Sequence, residues 1–127
     1  PLMSQSEVHD WISYGLEIGA HTQTHALLEE LDEQELIKEI FDCKIDLEKM
    51  FKVPINDFCY PFGKFNKLLI KKAEEAGYTS ATTMIRGRAT PHSNKLELPR
   101  IPITNHTLPY LFLAKILTNY EDKRSSH

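Results

Sequence analysis

Two histidines, His21 and His25, stand four residues apart in the run Gly19-Ala-His-Thr-Gln-Thr-His25. Imidazoles at that spacing reach one cation when the backbone between them turns tightly, with Zn–N near about 2.0–2.1 Å. Gly19 and Ala20 permit close backbone approach, and the Thr22 and Thr24 hydroxyls are placed to orient the rings from behind. Spacing alone leaves the plainer reading open, a pair of surface or capping histidines. A second motif, Phe58-Cys-Tyr-Pro-Phe-Gly63, is aromatic and ends in a turn. Both runs follow predicted strands, and α/β barrels gather reactive groups at the C-terminal ends of their strands. His9, His92, His106 and His127 read as surface residues, with His106 in a loop able to approach the site. Trp11, Tyr60 and Tyr78 read more readily as core or rim aromatics than as stacking platforms, and Tyr60 is the best placed of the three for stacking.

The elements that must position these residues alternate between helix and strand, the signature of an α/β fold with parallel strands. Ser4-Gln-Ser-Glu7 reads as a capping box opening a short helix that Gly15 closes. Leu16 to Ala20 is predicted as a strand running into His21. A longer helix opens at Asp32-Glu-Gln-Glu35 and stops at Pro54, with Leu36 to Phe51 as its core-facing stripe. Asp57 to Tyr60 is a second strand, Asn66 to Ala76 a helix closed by Gly77, and Tyr78 to Met84 a Thr-rich third strand. Arg86 to Lys95 is a loop. Leu98 to Ile103 is extended, and its two prolines confine it to an edge or bulge. A last helix runs from Pro109 to Tyr120, apolar through Leu111, Phe112, Ala114, the Lys115 stem, Ile116 and Leu117. The tail from Glu121 to His127 is polar and expected to fray.

With 127 residues the chain has room for one domain, and its 41% hydrophobic and 26% charged composition is that of a globular protein. Formal charge is −3 and the basic residues are dispersed, which argues against nucleic acid as a partner. No run approaches the ~20 apolar residues of a membrane span, and no signal peptide is visible at the first residues. Cys43 and Cys59 are too few for a disulfide framework and read as buried free thiols.

Taken together, Gly15 to His25, the long charged helix, Tyr60-Pro-Phe-Gly63, Ala76-Gly-Tyr78 and Leu98-Pro-Arg-Ile101 resemble the polysaccharide deacetylases of carbohydrate esterase family 4, in the Tyr-Pro-Phe/Tyr-Gly branch. The resemblance implies a distorted (β/α) barrel that removes acetyl groups from N-acetylated polysaccharides with a divalent metal, usually zinc. It carries His21 and His25 over as metal ligands, Pro61 and Tyr60 as groove residues, and the backbone N–H of Phe62 as oxyanion donor. Arg100 matches an arginine expected to face the catalytic carboxylate. Family members act mostly at the cell envelope or outside the cell.

One departure matters. The family's first motif, Thr-Phe-Asp-Asp-Gly, supplies the base and a third metal ligand, and no Asp-Asp pair occurs in this chain. The expected fold is therefore a partial barrel, the C-terminal portion of a catalytic domain, weakly active or inactive by itself. Its unpaired edges favour a homodimer or higher assembly. The competing reading is a non-catalytic relic or binding module that keeps the fold and an oligomer interface.

Overall fold

A computed structural model of the protein describes residues 2–124. Strands β1 (Asp57–Cys59), β2 (Ser80–Arg86) and β3 (Leu98–Arg100) form a parallel sheet in the order β1-β2-β3. Pro99 lies in β3 at the edge, where a missing N–H costs no ladder bond. On the other side of β1 the predicted strand 16–20 shrinks to one bridging residue. Ala20 donates to the Asp57 carbonyl at 2.8 Å and accepts from Cys59 N–H at 2.9 Å. Glycine at 19 permits this approach, since a Cβ there would lie 3.0 Å from the Asp57 oxygen. The described strands make an open parallel sheet, and no closed barrel exists among them.

Helix α1 (Gln5–Ser13) opens on the predicted capping box, with Ser4 and Glu7 exchanging side-chain and backbone bonds. The predicted long helix is present as three continuous pieces: α2 (Glu33–Leu36), a π-helical segment (Ile37–Asp42) and α3 (Cys43–Phe51). It ends two residues before Pro54, at Lys52, which takes the left-handed conformation. Helix α4 (Lys67–Glu75) is capped by the Asn66 side chain, which accepts from Leu69 N–H at 3.0 Å, and Gly77 closes it at φ +80°.

Helices and sheet enclose one core. Phe58 and Ala81 turn inward from the strands and meet Leu36, Ile40, Leu69 and Ala73 from the helices, with Ile55, Tyr60 and Tyr78 beside them. Each buried large apolar side chain contributes about 1.5–3 kcal/mol relative to exposure. The two buried phenols keep partners: Tyr60 donates to the Leu96 carbonyl and Tyr78 to the Ile40 carbonyl, each at 2.9 Å. Ile37 and Ile45, counted from sequence in the core stripe, face solvent instead. Cys43 is buried and Cys59 only partly so, and both are free thiols.

Helix α5 (Pro109–Leu117) keeps only part of its predicted face, with Leu111 and Ala114 half-buried. Phe112, Ile116 and Leu117 are exposed, and the buried residue is Lys115. Its ammonium donates to the Pro102 carbonyl at 2.6 Å and pairs with Glu121 at 2.7 Å. Glu121, read from sequence as the start of a frayed tail, is fully buried and also lies 3.7 Å from Arg86. A charge removed from water needs such partners, and they fix the orientation of the helix against its apolar preference. Next to it, Asp122 accepts from Arg88 N–H at 2.9 Å and from its guanidinium, so the segment is clamped to the turn after β2. His127 and the rest of the predicted tail from 125 lie outside the described residues.

Candidate functional site

Because the strands run parallel, their C-terminal ends share one edge of the sheet, and the residues singled out for chemistry follow those ends. His21 comes directly after the Ala20 bridge. Its Nδ1 lies 2.7 Å from the Cys59 carbonyl. A carbonyl only accepts, so Nδ1 carries the proton and Nε2 is the free nitrogen, which is the tautomer a metal ligand needs. The His25 ring stands edge-on to it with centroids 4.8 Å apart, and both histidines are exposed.

The loop between them is strained. Thr22 and His25 have φ of +65° and +59°. For the β-branched Thr22 this is an outlier conformation, costing about 1–2 kcal/mol. Its hydroxyl helps to hold the turn, donating to the His21 carbonyl at 2.5 Å and accepting from His25 N–H at 3.0 Å. The threonine hydroxyls therefore organise backbone, and the group that orients the His21 ring is the Cys59 carbonyl. Thr24 turns away from the rings to the helix, where its hydroxyl donates to Glu39 at 2.6 Å. Two backbone N–H groups of the loop end on the same carboxylate: Gln23 at 2.8 Å and Thr24 at 3.0 Å. Burial raises the Glu39 carboxyl, but these bonds outweigh it and hold the group below the ordinary carboxylate range. Cys43 lies one helical turn further on; burial pushes its thiol up, against an opposing contact from the His21 backbone.

The second motif forms a tight 3-10 turn, Pro61–Gly63, directly after β1. Phe62 takes φ +57° and is 55% exposed, and its ring meets the His25 ring edge-on at 4.6 Å. The turn's own bonds run from Gly63 N–H to the Tyr60 carbonyl and from Lys64 N–H to the Pro61 carbonyl. The N–H of Phe62 lies between them with no backbone acceptor of its own among the described residues. Among the described residues, three of the four non-glycine residues with positive φ, Thr22, His25 and Phe62, thus meet at one spot, and strain of this kind concentrates at functional sites. Pro61 is buried beneath the turn.

Two other sequence candidates sit elsewhere. Tyr60 is 1% exposed, and burial pushes its phenol up to about 12, with Glu97 adding to the shift. Its ring belongs to the core and offers no face to a sugar. Arg100 closes β3 with its Nε donating to the Thr83 carbonyl at 2.8 Å. With Met84, Arg86 and Ile101 it lines a groove beside the ring cluster, and Met84 also abuts Gly63. His9, His92 and His106 are exposed, as expected. Sequence reasoning missed Glu39. The signal available was its place on the buried face of the long helix, between Leu36 and Ile40.

The donor set fits part of a metal site. Two imidazoles lie together with solvent access, but among the described residues no group of three His, Cys, Asp or Glu gathers to hold a metal ion. Among those residues, too, no helix is long and apolar enough to cross a membrane.

The polysaccharide deacetylase family model matches residues 3–81, which include both histidines and the Pro-Phe-Gly turn. The chain belongs to the polysaccharide deacetylase family. It is 26% identical over 102 residues to YxkH of Bacillus subtilis, whose name places it in that family; the match takes in 80% of this chain and 37% of YxkH. Among solved structures it resembles the polysaccharide deacetylase BC0361 of Bacillus cereus at 26% identity and TM-score 0.82, covering 90% of this chain and 36% of that one. The Streptococcus pyogenes deacetylase PplD, solved in complex with acetate, shares the fold at TM-score 0.84 and 24% identity, with coverages of 89% and 50%. The chain therefore spans half or less of the length of each of these relatives.

Proposed function

We propose that this chain forms the metal-binding portion of a hydrolase that removes N-acetyl groups from amino-sugar polysaccharides. The observation that carries the reading is the edge-on pair of imidazoles, with the Cys59 carbonyl against His21 Nδ1 and the Phe62 ring against His25. A divalent metal such as zinc, held there by His21 and His25, supplies Lewis acidity toward an acetyl carbonyl and acidifies bound water. The chain's own residues do the rest of the positioning. The Phe62 N–H, without a backbone acceptor among the described residues, would donate to the oxyanion that develops on the acetyl carbonyl oxygen, and Phe62 and buried Pro61 wall the site on that side. Arg100, anchored through its Nε, presents its terminal nitrogens to a carboxylate at the sheet's C-terminal edge.

The base and the third metal ligand are carboxylates supplied by polypeptide beyond residues 2–124, whether further chain or a partner. The open sheet is then an incomplete arc of a distorted (β/α) barrel. The exposed apolar face of α5 and the open sheet edges support assembly as a homodimer or higher oligomer. Acetylated glycans of the cell envelope or its surroundings are the matching substrates.

The test is acetate release from chitin oligomers with zinc present, followed by mass spectrometry of the sugars. The chain alone is expected to release none, and a polypeptide bearing the Asp-Asp segment is expected to restore turnover. Robust turnover by the chain alone would overturn the assignment of the missing groups.

A further inference from the structure

The loop that brings the two imidazoles together is strained, and something must hold it. Thr22 and His25 both sit in the left-handed region, and the Thr22 hydroxyl bonds to the His21 carbonyl and the His25 N–H within the loop while also bearing on Glu39. The main anchor from outside on the loop's middle, among the described residues, is Glu39, whose two carboxylate oxygens take three hydrogen bonds from Gln23 and Thr24. Glu39 is 7% exposed, a charged group on the buried face of the helix among Leu36, Ile40 and Cys43. The loop's donors satisfy it.

Its place in the helix is also unusual. Glu39 lies within the π-helical segment, where Cys43 N–H bonds back to the Lys38 carbonyl, five residues away. Single π turns inside α-helices recur at functional sites. The widened turn sets the Glu39 carboxylate under the loop and the Cys43 thiol against the His21 backbone. A second tie joins the same surfaces, since the Gln23 side-chain amide donates to Asp46 at 3.0 Å.

We infer that Glu39 is the positioning residue of the histidine pair: it clamps Gln23 and Thr24 so that the His21 and His25 rings converge on one cation. The inference rests on the proposed metal role of that pair. Glu39 touches no reacting atom and acts through the loop backbone. A glutamine at 39 keeps the shape but sets an NH2 donor against loop donors, so at most one oxygen still accepts.

The test uses the whole chain in four forms: wild type, Glu39→Gln, Thr24→Val and Leu69→Ala. Leu69→Ala serves as a destabilised control, being a fully buried core change in α4. Thr24→Val alters an exposed side chain and removes a single hydroxyl bond, so it remains informative should Glu39→Gln fold poorly. Zinc titrations followed through the histidine ring resonances are expected to show about a 10–100-fold loss of affinity for Glu39→Gln, the range seen when a group supporting a ligand is lost. Thr24→Val is expected to lose less, and Leu69→Ala none. Without metal, the nuclear Overhauser contact between the His21 and His25 rings is expected to vanish in Glu39→Gln and persist in Leu69→Ala. Zinc affinity or ring contact equal in Glu39→Gln and Leu69→Ala overturns the inference. If the wild type binds no zinc, the proposed metal role fails, and the metal-free ring contact alone decides the role of Glu39.

Discussion

The substitution Gly63→Ala probes the turn that carries Phe62. Gly63 has φ +66°, and a Cβ there would lie 2.4 Å from the Met84 Cβ, 2.5 Å from its Cγ and 2.7 Å from its backbone nitrogen. The flexible end of the Met84 side chain can move away, but its Cβ and nitrogen belong to β2 and cannot move without the sheet. The left-handed backbone costs an alanine about 1–2 kcal/mol, and forced overpacking typically adds about 1–3 kcal/mol. Gly77 supplies the internal control, since its φ is +80° with nothing within 4 Å of a Cβ. Gly77→Ala therefore carries the backbone cost alone. Thermal unfolding followed by circular dichroism is expected to place Gly63→Ala below Gly77→Ala, by roughly 3–5 °C for each kcal/mol of overpacking. Met84→Ala retains the offending Cβ and nitrogen, so it is not expected to rescue Gly63→Ala. Equal melting temperatures for the two glycine variants would refute the reasoning that β2 fixes this turn.

Tyr60→Phe leaves the buried Leu96 carbonyl without its donor and is expected to cost about 1–3 kcal/mol in denaturant unfolding; loss of sugar affinity at unchanged stability would return Tyr60 to the binding surface. Lys115→Ala leaves the fully buried Glu121 with only Arg86, 3.7 Å away, and is expected to cost up to about 3–5 kcal/mol, whereas Lys115→Met combined with Glu121→Leu should recover most of it; equal losses would show the pair to be unimportant. The Arg88 backbone N–H, then its guanidinium, holds the Asp122 carboxyl below its ordinary value. That stabilisation is complete above about pH 4, the unfolded carboxyl value, and is lost as pH falls through the lower folded one. The stability gap between wild type and Asp122→Asn should therefore close in acid, and a constant gap down to the acid limit would contradict the clamp.

The elements most legible in the sequence were those with local chemical signatures. The Ser4 box and Gly77 fixed helix ends through a side chain and through backbone freedom, and the structure keeps both. The histidine loop and the Pro-Phe-Gly turn were equally visible, because each follows a strand and both fall on one edge of a parallel sheet. Three things depended on long-range contacts that periodicity does not encode. Helix α5 turned its lysine inward because Glu121 and the Pro102 carbonyl await it. Tyr60 looked like a platform beside a turn, but the alternation of β1 and the Leu96 carbonyl draw it into the core. The support of the histidine loop came from Glu39, a residue whose type suggested a solvated helix face and whose position, between two core residues, did not.

The most direct test of the central claim is a zinc titration of the histidine ring carbons and protons by nuclear magnetic resonance. His21 and His25 should shift together with one midpoint while His9, His92 and His106 stay still, and His21→Ala should abolish the shift at His25. Independent midpoints for the two rings, or a His25 response that survives His21→Ala, would contradict a shared metal.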